Sequence, residues 1–239
     1  MIFRRAFSRM ISSNEINLLL IFGFISLSSF SQGPGTVNLK EVQQKKIRKY
    51  IHARAIDQMH DFSAIHASWR KGINESDFHV IEKKLYLKRR LSAVWECYRN
   101  ANLHKSLNRH YIRLGLMISK YSNSVTYYKN LNFPEVDTGQ VYFLNLRLLK
   151  GLFNIPTAFE ITNIDTNKQM LEFSYLDDNK SQGKQTIQFF DNGDGRTKIV
   201  HMSYYKSDSW LRDALLYPYF HKKLINGFHR NMRQLVSKT

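Results

Sequence analysis

The gaps between the extended runs of this chain are short, and that fact restricts its fold more than any other. From Asn123 onward, stretches rich in β-branched and aromatic residues follow one another at 125–128, 141–149, 157–164, 170–176, 185–190 and 198–205. The later ones are separated by turn chemistry: Asp165-Thr166-Asn167-Lys168, Asp177-Asp178-Asn179 and Asn192-Gly193-Asp194-Gly195. A parallel pair needs a crossover of about a dozen residues, so neighbours joined this tightly must run antiparallel. The sequence predicts an antiparallel meander. A further strand is expected over 78–87, and 113–120 is ambiguous between strand and loop.

Past Ser209 the period changes. Leu211, Ala214, Pro218, Ile225, Phe228, Met232 and Leu235 recur at helical spacing, which predicts a long amphipathic helix ending near Val236. Pro218 should kink it, because proline removes a backbone donor. A sheet with one apolar face must bury that face, and this helix is the long partner the sequence offers. The gap between a bent sheet and a helix is where an apolar ligand can sit, oriented by a few polar groups. At ~100° per residue, His221 falls in the middle of the apolar stripe and faces the sheet. It reads as a core histidine bonded to a strand or a tyrosine, as a group that orients a ligand, or as a proton-transfer group.

The amino-terminal end reads differently. Arg4, Arg5 and Arg9 precede an uncharged apolar run from Ile16 to Phe30, and Ser29-Phe30-Ser31 places small residues where a signal peptidase reads. The run is about 15 residues, short of the ~20 a membrane-spanning helix needs. Residues 1–31 are therefore expected to be a cleaved export signal, which makes the mature protein periplasmic or secreted. Removing them takes away three arginines and Glu15, so the formal charge of +17 falls by only two. The basic character belongs to the mature chain. A single cysteine, Cys97, excludes an intrachain disulfide framework and reads as a buried, inert thiol.

Residues 32–38 read as a linker, and 39–71 as a helix with apolar positions Val42, Ile47, Tyr50, Ile51 and Ile56 on one side and Lys45, Lys46, Arg48 and Lys49 on the other. Its basic face is either solvated or docks on an anionic membrane surface. Ser92 is a plausible N-cap for a helix carrying Val94, Trp95 and Tyr98, and a second short helix is expected over 101–109.

The order strand, two short helices, antiparallel strands and long final helix resembles the helix-grip fold of the START-like superfamily, which includes the birch-pollen-allergen-like proteins. The resemblance spans about 78–236. Over 153–234 it is similar to an uncharacterised START-like family, through Phe159-Glu160, Glu172-Phe173-Ser174-Tyr175, Gly183 with Gln185, the Gly-Asp-Gly turn and the segment from Trp210 to His221. It implies an α+β fold, a curved antiparallel sheet of about six to seven strands gripping the C-terminal helix. The expected organisation is signal 1–31, linker and helical extension 32–74, and START-like domain 75–239.

A cavity lined by Phe159, Phe173, Tyr175, His201, Tyr205, Tyr217 and His221 is the expected site. His201 alternates with Ile199, Ser203 and Tyr205, and alternation alone does not say which side of that strand faces inward. Glu160 reads as solvent-facing, or as paired with Arg147 if buried. There is no HExxH, no His-x-x-x-His, no Walker loop and no dinucleotide fingerprint, so no metal and no cofactor is expected. The leading reading is an exported monomer that binds an apolar or amphipathic small molecule or lipid. Its rivals are a cyclase- or hydrolase-like enzyme using a cavity histidine, and a basic protein docking on an anionic envelope surface. Nucleic acid ranks last as a partner, since no recognition module is visible.

Overall fold

Eight strands form one wholly antiparallel sheet. The computed structural model describes residues 35–100, 106–107, 111–129, 133–148, 151–177, 179–209 and 217–238. The expected signal segment, most of the expected helix at 101–109, and Trp210, Leu211 and Ala214 lie outside them. The strands are β1 (His79–Leu87), β2 (Ile112–Ser119), β3 (Ser124–Tyr127), β4 (Gln140–Leu148), β5 (Phe153–Asp165), β6 (Met170–Tyr175), β7 (Ser181–Asp191) and β8 (Thr197–Ser207). The α-helices are α1 (Lys45–His52), α2 (Leu91–Asn100) and α3 (Tyr217–Val236).

The sheet order is β1-β8-β7-β6-β5-β4-β2-β3. From β4 to β8 it is the expected meander. Beyond β4 it is not: β2 sits between β3 and β4, so the chain passes from the edge strand β3 over β2 to reach β4. The ambiguous segment around 113–120 is thus a strand, and eight strands replace the expected six to seven. β2 hides its period for two reasons. It is buried on both faces, and a bulge between Leu114 and Leu116 breaks the alternation. Leu114 and Met117 therefore face one core, while Leu116 and Ile118 face another.

The second core is where the structure departs most from expectation. Residues 39–71 do not form one helix. A 3-10 turn at Leu39–Glu41 leads to α1, which is eight residues long, and short 3-10 turns follow at Ile56–Gln58 and Phe62–Ala64. Ala55 adopts a left-handed conformation (φ 53°) that ends the helical path. Asn38 and Asp61 cap two of the 3-10 turns with their side chains, as Asn74 caps a third at Glu75–Asp77. Val42, Ile47, Tyr50, Ile51, Ile56, Phe62 and Ile65 are all buried against Leu116, Ile118, Val141, Phe143 and Ala158. Gly115 makes this approach possible, since a Cβ there would stand 2.5 Å from Ile47 Cδ1. The segment thus covers one face of the sheet, and even Val37 of the expected linker is buried in it.

The opposite face carries α2 and α3. Val94 and Tyr98 of α2 and Met232 and Val236 of α3 pack on Leu171, Ile187, Phe189 and Ile199. α2 begins at Leu91, so Ser92 lies inside its first turn and does not precede it. α3 is described without interruption from Tyr217 to Val236. The segment preceding Pro218, on which the expected kink depends, lies outside the described residues. No described helix is long and apolar enough to cross a membrane.

A candidate ligand cavity

The two halves of α3 meet the sheet differently. Its C-terminal half is packed solidly through Met232 and Val236. Its N-terminal part meets β8 through His221 and Ser203, but His221, Leu224, Ile225 and Phe228 leave a partly open cavity of about 130 Å³ over β4–β7. The walls are apolar: Leu144 and Leu146 of β4, Phe159 and Ile161 of β5, Leu171 and Phe173 of β6, and Ile187 of β7. Among the described residues no Asp, Glu, Lys or Arg lines it.

Five of the seven residues expected from the sequence line this space: Phe159, Phe173, Tyr175, His201 and His221. Phe159 and Phe173 lean on each other at 5.1 Å between ring centres. Tyr205 and Tyr217 are not in the lining. They form a stack behind His221, with Tyr205 on Tyr217 at 3.8 Å and Tyr217 on His221 at 4.7 Å. Their role in the geometry is to hold the His221 ring. On β8 the set Thr197, Ile199, His201, Ser203, Tyr205 is the buried one, which settles the orientation that alternation left open.

A connected polar chain forms one side of the cavity. Tyr98 Oη lies 2.9 Å from His229 Nδ1, His229 Nε2 lies 2.8 Å from His201 Nδ1, and His201 Nε2 lies 2.9 Å from Gln185 Oε1. Gln185 Nε2 donates to Tyr175 Oη at 3.1 Å, and Tyr175 shares a hydrogen bond with Tyr217. An amide oxygen only accepts, so His201 must donate through Nε2. Its Nδ1 then accepts from His229 Nε2–H, and His229 Nδ1 accepts from the Tyr98 hydroxyl. With both imidazoles neutral the chain closes in this way, and a proton added to His201 Nδ1 would force His229 to the opposite tautomer and reverse its bond with Tyr98.

Burial enforces the same state. It pushes His201 well below the usual imidazole range, helped by neighbouring His229 and His221. It brings His221 down to about 4. His229 falls to about 3, mainly through burial and further through the charges of Lys83 and Arg233. Tyr98 and Tyr175 are pushed up, first by burial, so their hydroxyls keep their protons.

His221 makes its own bond, Nε2 to Ser203 Oγ at 2.7 Å. Ser203 is fully buried and does not line the cavity, so this pair orients a ring and does not present a nucleophile. Elsewhere, Glu160 is buried and pairs with Lys120 at 3.0 Å; Arg147 is not its partner. Cys97 is half-buried, and burial raises its thiol. Among the described residues no group of three His, Cys, Asp or Glu could hold a metal ion.

Gln185, Tyr98 and His229 were not among the expected site residues. Gln185 alternates with the inward Gly183 and Ile187, a signal within reach. His229 lies at the margin of the helical stripe, eight residues from His221, and only the fold brings it to His201.

No protein-family model matches the sequence, and no curated protein does. Solved structures do match. Norcoclaurine synthase from Thalictrum flavum, in complex with dopamine and hydroxybenzaldehyde, aligns with a TM-score of 0.50 at 14% identity, over 71% of this chain and 94% of that one. Another structure of the same synthase gives 0.50 and 14% over 72% and 94%. A protein from Thermus thermophilus gives 0.48 and 10% over 67% and 98%. The chain has the START-like helix-grip fold, an open antiparallel sheet packed on a C-terminal helix.

Proposed function

We propose that this protein binds a small apolar molecule between the sheet and the N-terminal half of α3. The observation that carries the reading is the cavity of about 130 Å³, whose lining among the described residues is uncharged and mainly apolar. That volume is on the order of the 150 Å³ apolar cavity that takes up benzene. It suits a ligand of one or two rings and not an extended lipid. The synthase of the same fold was solved with two such small aromatic molecules. A binder is favoured over a cyclase- or hydrolase-like enzyme because Tyr98, His229, His201 and Gln185 spend their hydrogen bonds on one another. Phe159, Phe173, Tyr175, His201 and His221 form the contact surface, and Tyr205 and Tyr217 support it.

The test is native mass spectrometry of the purified protein, followed by extraction. A small neutral molecule released on denaturation supports the reading. A bare protein mass that no apolar probe alters or stabilises contradicts it. In the same reading the protein is exported and works after cleavage between Ser31 and Gln32. Amino-terminal sequencing of the envelope or secreted fraction should begin at Gln32, and an intact Met1 terminus confined to the cytosol would contradict export.

A second reading has one observation behind it. Lys45, Lys46 and Lys49 are exposed on α1, while the apolar side of α1 is buried on the sheet. Docking on an anionic surface through α1 would thus be electrostatic, with no insertion of the helix.

A further inference from the structure

The polar groups of the cavity are not equally engaged. Both ring nitrogens of His201, both ends of the Gln185 amide, and the hydroxyls of Tyr98 and Tyr175 are bonded inside the protein. His221 is different. Its Nε2 meets Ser203 Oγ at 2.7 Å, while its Nδ1 has no hydrogen-bond partner among the described residues. The residue is only 5% exposed, and it lines the cavity. The Thr157 hydroxyl also belongs to the lining and is unengaged among the described residues, but Thr157 is only partly buried, two residues along β5 from the exposed Ile155.

A polar nitrogen held in an apolar cavity is satisfied only by what enters the cavity. We infer that the ligand is an uncharged ring compound carrying one hydroxyl, and that this hydroxyl bonds to His221 Nδ1. The inference rests on the cavity reading above and narrows it to a chemical class.

Two features select this class. The Ser203 proton can go to His221 Nε2, leaving an Nδ1–H that donates. It can instead go to Gln185 Oε1, 3.5 Å away, leaving an Nδ1 that accepts. A hydroxyl answers both tautomers, whereas an ether or carbonyl answers one. Among the described residues the lining also holds no charged side chain, so a carboxylate or ammonium would meet no counter-charge from them and lose its hydration. The stack of Tyr205 on Tyr217 on His221 fixes the ring that presents Nδ1.

The experiment measures binding of naphthalene, naphthol and naphthoate to the full-length protein by calorimetry. It also follows the ring nitrogens of isotope-labelled histidine by NMR. Naphthol should bind roughly five- to tenfold more tightly than naphthalene, the worth of one hydrogen bond, and naphthoate should bind more weakly than either. Naphthol, and not naphthalene, should shift the His221 Nδ1 resonance. H221L should erase the preference for naphthol over naphthalene, and T157V should leave that preference intact. The wild-type ligand comparison and the NMR readout stand even if H221L does not fold. Equal affinity for naphthol and naphthalene, tightest binding of naphthoate, an unmoved Nδ1 signal, or a preference erased by T157V and kept by H221L would each overturn the inference. In those cases naphthalene still binds. If it does not bind at all, the cavity reading itself fails, and the inference with it.

Discussion

Three neutral histidines packed together make stability fall steeply with acid. His201, His221 and His229 are each at most 5% exposed, and burial lowers all three, His221 to about 4 and His229 to about 3. In the unfolded chain each titrates near ~6.5. Between that value and the folded one, the unfolded state binds more protons than the native state, so stability rises with pH and is lost as pH falls. From pH 7.5 to pH 5 each histidine withdraws about 2 kcal/mol, and three withdraw about 6 kcal/mol, from a total that for an ordinary domain is about 5–15 kcal/mol. The limiting slope is about 4 kcal/mol per pH unit, three protons at ~1.4 each. Urea unfolding across this range reads the slope directly. His229→Gln, which keeps a donor and an acceptor near His201 and Tyr98, should lower the slope by one proton. Stability that is flat between pH 7.5 and 5, or resonances of His201, His221 and His229 titrating near 6.5 in the native protein, would refute the argument.

Three other expectations are more local. Gly183 has φ 130°, and a Cβ there would lie 1.9 Å from the Tyr204 carbonyl oxygen. Gly183→Ala should therefore cost more than about 3 kcal/mol in urea unfolding, and a loss under ~1 kcal/mol would show that β7 and β8 separate easily. Ile51 is fully buried under the sheet, so Ile51→Ala should cost about 2–5 kcal/mol, and a neutral result would return 32–74 to the status of an appendage. Replacing Lys45, Lys46 and Lys49 together by Gln should leave stability within ~0.5 kcal/mol. If α1 docks on anionic lipid, the same variant should lose its salt-sensitive vesicle binding. Deleting the segment is not the right test, because it would bare the buried face of β2 and β4.

The legible parts of this fold are those with one clean period. β7 and β8 alternate, and the final helix keeps its stripe, so the sheet, the helix and most cavity residues can be read from sequence. Three features could not be. β2 is apolar on both faces and bulged, which erases the period-2 signal. Residues 39–71 carry apolar residues near helical spacing, but their path is set by side-chain caps and by Ala55 in a left-handed conformation. The Lys120–Glu160 pair and the His201–His229 contact join residues 40 and 28 positions apart, and neither partner marks the other in sequence. His201 and His221 are both legible, yet that Nδ1 of His221, alone among the nitrogens of the two rings, has no partner among the described residues follows only from the packing.

The central claim is that the N-terminal part of α3 leaves a cavity over β4–β7. Filling that space is the direct test: calorimetry with naphthalene on the wild-type protein and on Leu144→Trp, whose larger ring would occupy the cavity from β4. The account predicts one binding site in the wild type and none in a variant that still unfolds cooperatively. Undiminished binding to the filled variant, or no binding to either protein, would contradict it.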